Sequence, residues 1–189
     1  MFTLTTFDVS LTTTAPARKK NGRGQARHLD EDELVTFFNH LVSEKWQAVF
    51  AIAYFTGSRI SEVLKLKVED VEDDRITFRR ENAKTKIRRE IALQPQLRAF
   101  IEAYESPTTG YLFPAYQNSK RKTHVTRQAA HKVLKEVVAA AAPELDGVST
   151  HSFRRSFATN LAKAGKPEAE IGRLLGHKQG SGMTPRYIG

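Results

Sequence analysis

The chain contains no cysteine, so disulfides, thiol catalysis and thiolate-bound metal are all excluded. No apolar run approaches the roughly 20 residues that a membrane helix needs. The Thr-rich start, Met1 to Ala15, lacks both a basic opening and a long apolar segment. It is therefore a poor secretion signal, and a cytoplasmic location is expected. There is no HExxH pair, no carboxylate cluster stands out, and His151 and His177 have no obvious third ligand beside them. No metal and no other cofactor is expected.

What the chain does have is basic charge. Its 189 residues carry 30 Lys+Arg against 21 Asp+Glu, a net +9. A balance of this size favours a polyanionic partner, nucleic acid before an anionic membrane surface. The 40% hydrophobic content suffices for a real core, and the length suits one ordinary domain with a tail.

The tail is expected to be residues 1–27, a flexible basic arm. After Ala15-Pro16-Ala17 come Arg18, Lys19, Lys20, Arg23 and Arg27 with glycines between them and no acid, a cationic stretch with little to bury. The domain is expected to span 28–189. Asp30 with Glu33 has the spacing of a helix N-cap, and Leu29 with Leu34 that of a hydrophobic staple. Leu34, Phe37, Phe38 and Leu41 then repeat at helical spacing. A second helix turns Trp46, Val49, Phe50 and Ala53 inward and stops near Gly57, and a short third carries Ile60, Val63 and Leu64.

The period then changes. Ile76-Thr77-Phe78 and Ile87 to Leu93 predict two short strands around the polar stretch Glu81–Lys86, hence a hairpin. Pro95 opens a helix with Leu97, Phe100 and Ile101 inward. A basic loop follows at Lys120, Arg121 and Lys122. Three more helices are expected: Thr126 to Ala142, one from about His151 to Gly165, and one from Pro167 to Gly176. The fold class is thus mainly α with a small antiparallel β-hairpin (α+β), without internal repeats.

Several residues are capable of chemistry. His151 and Arg154, at i and i+3, project from one side of a helix's first turn, where free N–H groups and the helix dipole suit a phosphate. Arg59 follows Gly57-Ser58 near another helix start, with Glu62 one turn on to fix its guanidinium. His177 follows the expected C-cap Gly176, and Tyr187 lies near the end of the chain. Each alone has an ordinary structural explanation, such as a capping histidine, a surface ion pair or a docked aromatic.

Together they mean more. GSRISEVLKL, the basic hairpin, HSFRRSFATNLAKAG, EIGRLLGHK and a following tyrosine occur in the order seen in the tyrosine recombinase (phage integrase) family. The chain resembles that family's catalytic domain from about Leu29 to Tyr187. The resemblance implies an enzyme that cuts one DNA strand at a time, without metal or nucleotide, and rejoins it to a partner. Tyr187 would attack the scissile phosphate to give a 3′-phosphotyrosyl link and a free 5′-hydroxyl. Arg59 and Arg154 would stabilise the charge that develops, His177 would donate to the same phosphate, and His151 would assist proton removal from the phenol. Glu62 matches an acidic residue that supports the site, and a hairpin lysine would protonate the leaving oxygen. The resemblance points to Lys84 for that lysine, with Lys86 the alternative.

The arm residues Arg18, Lys19 and Lys20, the hairpin residues Lys86 and Arg88, and Lys120, Arg121 and Lys122 are the expected DNA contacts. The implied partners are double-stranded DNA, further protomers (a tetramer on two DNA sites) and accessory DNA-bending proteins. Three features set the chain apart from most members. Only about 28 residues precede the first helix, as in the short single-domain type, and the arm is expected to replace part of the missing DNA clamp. Gly180-Ser181-Gly182 lengthens the interval from His177 to Tyr187. The chain ends at Gly189, where relatives carry a segment that docks on a neighbour. The competing classes are a non-catalytic DNA-binding regulator or inactive prophage remnant, a type IB topoisomerase and, more remotely, a metal-dependent nuclease.

Overall fold

The computed structural model describes residues 26–115 and 123–188. The arm residues Arg18, Lys19 and Lys20 and the loop residues Lys120, Arg121 and Lys122 lie outside the described residues. The expected boundary falls between residues 27 and 28. On the arm side of it, Arg27 is anchored on the domain, donating through Nη1 to the carbonyls of Glu144 (2.7 Å) and Asp146 (2.8 Å) and pairing with Glu33.

Helix α1 (Glu31–His40) starts as its sequence dictates. Asp30 accepts from Glu33 N–H, and Glu33 accepts in return from Asp30 N–H, which satisfies two of the free donors of the first turn. Helix α2 (Glu44–Thr56) is more deeply set than its inward stripe implies: Ala48 to Ala53 are all fully buried. It is the central helix, packed on α4 (Pro95–Ala103) and α6 (Thr150–Lys163), and helices in that position read as apolar all round. Trp46 is only partly buried at the cluster's edge.

Phe37 of α1, Phe50 of α2 and Phe153 of α6 form a triangle with ring centroids 5.0–5.2 Å apart. Aromatic pairs at such distances are stabilising beyond their area. Phe153 is wholly buried and fixes the rotation of α6, which determines where its neighbours His151 and Arg154 project.

Between α2 and α6 lie α3 (Ile60–Val63), the sheet and α5 (Arg127–Ala140). Strands β1 (Arg75–Phe78) and β2 (Arg89–Ala92) pair antiparallel, with Ile76 opposite Ile91 and Phe78 opposite Arg89. The second strand starts two residues later than expected and ends one residue earlier, and Lys86 ahead of it has a left-handed backbone (φ 57°). Lys84 lies in a turn before the strand, and Lys86, which follows it, donates its N–H to Ala83 O (3.1 Å). Helix α5 ends at Ala140 rather than Ala142. The last elements are α7 (Glu168–Leu175) and a 3₁₀ turn, Thr184–Arg186, packed against it. Among the described residues, no helix is long and apolar enough to cross a membrane.

Candidate active site

Four segments converge: the α2–α3 turn, the hairpin, the start of α6 and the end of α7. The first owes its shape to Gly57, which closes α2 with φ 61°, a conformation natural to glycine. The chain then extends through Ser58 to Arg59, the N-cap of α3. Glu62, 2% exposed, accepts from Arg59 N–H (3.1 Å) and from its Nη1 (3.2 Å). The carboxylate that the sequence placed beside Arg59 therefore does hold it.

Glu62 also holds a second arginine. Arg89 Nη2 donates to Glu62 Oε2 at 2.6 Å, while its Nη1 donates to Leu174 O at 2.8 Å. Its guanidinium carbon lies 4.9 Å from the centroid of Phe78, directly across the ladder. Burial, and then the Arg59 charge, pull its pKa below the usual arginine value against the raising effect of Glu62. In sequence Arg89 counts only as part of the basic hairpin, inside the expected strand Ile87 to Leu93. The missed signal is the period of two in Arg89-Glu90-Ile91-Ala92, which puts Arg89 on the buried face with Ile91. Arg79, also in the basic hairpin, is engaged by Asp70 (2.5 Å) and Glu69 (2.6 Å) at its base.

Arg154 is 1% exposed. Nη1 donates to Gly57 O (2.7 Å), and Nη2 donates to Leu175 O (2.8 Å) and to His177 Nε2 (2.9 Å). Nε–H is buried with no partner among the described residues. Burial first, then the charges of Arg59 and Arg89, push its pKa down, yet a guanidinium stays protonated at neutral pH. The plane of Tyr187 completes the arrangement: Arg154 Cζ sits 5.0 Å from the ring centroid, within cation–π range. The Tyr187 ring is also 5.4 Å from that of His177.

His177 follows the left-handed C-cap Gly176 (φ 68°), and its N–H returns to Gly172 O at 2.8 Å. Its Nδ1 meets Thr184 Oγ1 at 2.9 Å. Burial, then Arg154, Arg59 and Arg89, lower its pKa to about 4, so the ring is neutral at pH 7. The unfolded value is about 6.5. As pH falls, the unfolded chain binds the proton first, so stability is full above about pH 6.5 and declines towards pH 4. A shift of this size corresponds to at most about 3 kcal/mol. Urea unfolding at pH 7 and pH 4.5 should show a larger loss for the native chain than for His177→Asn; equal losses would contradict the assignment.

Beside this cluster opens a cleft of about 840 Å³, lined by Arg59, Lys84, His151 and Arg154. Of the predicted residues, Lys84 lines it, whereas Lys86 and Arg88 do not. Lys86 Nζ instead points to Glu81 O (3.4 Å), and Arg88 pairs with Glu90. The opposite wall is α5, with Arg127, His131, Lys132 and Lys135. No site residue was expected on the helix Thr126 to Ala142, so this face was not anticipated. Its basic residues at 127, 131, 132 and 135 follow helical spacing on the side away from Ala130, Leu134 and Val137.

The site thus sets three guanidiniums, Arg59, Arg89 and Arg154, around the carboxylate of Glu62. The excess positive charge is partly desolvated, and an anionic group with several acceptor oxygens is what would neutralise it.

The fold is that of integrase and recombinase catalytic domains. The catalytic domain of bacteriophage HP1 integrase matches with TM-score 0.65 and 25% identity over 87% of each chain. A lambda integrase tetramer bound to a Holliday junction matches with TM-score 0.66 and 17% identity, over 88% of this chain and 51% of that one. In sequence, the probable integrase/recombinase YoeC of Bacillus subtilis (strain 168) is 33% identical over 143 residues, 75% of each protein. The model of the phage integrase family matches residues 27–189, and the chain belongs to that family. It spans only 51% and 62% of two further relatives, the putative integrase/recombinases y4qK and y4eF of Sinorhizobium fredii.

Proposed function

We propose that the chain is the catalytic unit of a site-specific DNA recombinase that works inside the cell through a 3′-phosphotyrosine. The observation that carries this reading is the cluster itself: a buried arginine over a tyrosine ring, with Arg59, His151 and Lys84 on the adjoining cleft. The Tyr187 oxygen attacks phosphorus, the bond to the 5′-oxygen breaks, and the phenol proton passes towards His151. Lys84 supplies a proton to the departing 5′-oxygen. Arg59, Arg154 and His177 hold the non-bridging oxygens, where charge grows in the transition state. The phosphotyrosine conserves the phosphodiester energy, so a 5′-hydroxyl from a second duplex reverses the step and exchanges strands.

Other phosphates of the duplex meet Arg127, Lys132 and Lys135 of α5. Lys86 and Arg88 extend this charge along the hairpin, and Arg18 to Lys20 and Lys120 to Lys122 along the sequence. Binding should therefore weaken steeply with salt. Exchange requires several protomers on two duplexes, a reading supported by the structural likeness to a lambda integrase tetramer bound to a Holliday junction.

Two duplexes carrying the DNA that flanks the gene, one of them labelled, test the reading. Recombinant-length product in EDTA supports it. Relaxation of supercoils without any exchanged product would favour a topoisomerase.

A further inference from the structure

Both nitrogens of the His177 ring are engaged. Arg154 Nη2 lies 2.9 Å from Nε2, and Thr184 Oγ1 lies 2.9 Å from Nδ1. A guanidinium donates and never accepts, so Nε2 is the bare nitrogen and the ring proton sits on Nδ1, donated to Thr184. A phosphate oxygen, by contrast, only accepts. To donate to it, Nε2 needs the proton, and Nδ1 then becomes an acceptor that must itself be satisfied. A carbonyl or carboxylate beside Nδ1 would oppose that change, since each only accepts, whereas a hydroxyl can do either.

We propose that Thr184 is the positioning residue of His177. Its hydroxyl accepts from Nδ1–H while Arg154 donates to Nε2, and donates to Nδ1 when Nε2–H faces a phosphate oxygen. In the exchange one proton leaves Nδ1 for solvent and one is taken up at Nε2. The ring stays neutral, and the hydroxyl hydrogen rotates about its C–O bond towards Nδ1. The inference rests on the reading of His177 as a phosphate ligand.

The surroundings are built for this contact. Thr184 is 7% exposed. A Cβ placed on Gly172 would stand 2.7 Å from Thr184 Oγ1, so only glycine leaves the hydroxyl its room. Gly172 O meanwhile fixes the His177 N–H. Thr184 O accepts from Tyr187 N–H at 2.9 Å. One residue therefore holds the histidine through its side chain and the tyrosine through its backbone, and ties their positions together.

Nitrogen-15 spectra of the His177 ring at pH 7, assigned with His177→Asn, read the tautomer directly, with inorganic phosphate as the probe. The native chain and Thr184→Ser should pass from Nδ1–H to Nε2–H as phosphate saturates. Thr184→Val keeps the shape without the hydroxyl. It should remain folded by circular dichroism but populate Nε2–H less. It should also form the covalent DNA adduct about 10–100-fold more slowly than Thr184→Ser, the range seen when a metal-bound histidine is deprived of its outer partner. One unchanging tautomer with and without phosphate overturns the proposal, as does a Thr184→Val rate equal to that of Thr184→Ser. Tautomer exchange without an adduct from any variant would support the role of Thr184 and refute the recombinase reading.

Discussion

Arg154→Ala is expected to destabilise the domain by about 2–4 kcal/mol and to slow DNA cleavage by at least about 10²–10³-fold. The sign of the first effect has to be decided between opposed terms. Arg154 is a buried cation repelled by Arg59 and Arg89, and its removal relieves that cost. Against this, Gly57 O, Leu175 O and His177 Nε2 all lose their donor, and each orphaned buried acceptor costs about 1–3 kcal/mol. The same bonds tie α6 to the end of α2 and the end of α7, so the loss also loosens the frame of the site. The three orphaned acceptors outweigh the two relieved repulsions. Urea unfolding and single-turnover cleavage measure the two effects. A variant more stable than the native chain would mean that like-charge repulsion dominates the cluster.

Gly57→Ala should lower stability by about 2–5 kcal/mol, the sum of a backbone and a packing cost. The left-handed backbone at φ 61° costs a residue with a Cβ about 1–2 kcal/mol. The new methyl would also stand 2.3 Å from Phe157 Cδ1 and 2.9 Å from Leu175 Cδ2, and overpacking of this kind adds about 1–3 kcal/mol. Gly180→Ala separates the two terms, since Gly180 has φ 72° but nothing within 4 Å of a built Cβ. It should cost only the backbone part, about 1–2 kcal/mol. Because Gly57 O is an acceptor of Arg154, the shift forced on Gly57→Ala should also slow cleavage. Equal stability of the two variants would show that the clash is absorbed by side-chain movement.

Local signals made the helices legible in the sequence. Asp30 with Glu33, Gly57 and Gly176 mark helix ends through hydrogen bonds and backbone angles that involve only near neighbours, and the periodic apolar residues between them define the faces. The site was legible only as a set of residue types in order. Their assembly depends on contacts across the chain: Arg154 reaches Gly57, 97 residues away, and Arg89 reaches Leu174, 85 residues away. Such contacts leave no local pattern. This is why no role was expected of Arg89, Thr184 was not singled out, and the basic face of α5 was not anticipated. The period of two at Arg89 and the helical spacing of Arg127, His131 and Lys135 were nevertheless present to be read.

The central claim is that Tyr187, seated beneath Arg154, is the nucleophile. Incubation with a nicked duplex from the gene's flanking DNA, in EDTA, followed by denaturing electrophoresis, tests it most directly. The account predicts a protein–DNA adduct that survives SDS, disappears in Tyr187→Phe and maps to Tyr187 by peptide mass spectrometry. An adduct that persists in Tyr187→Phe, or DNA cleaved with no protein attached, would contradict it.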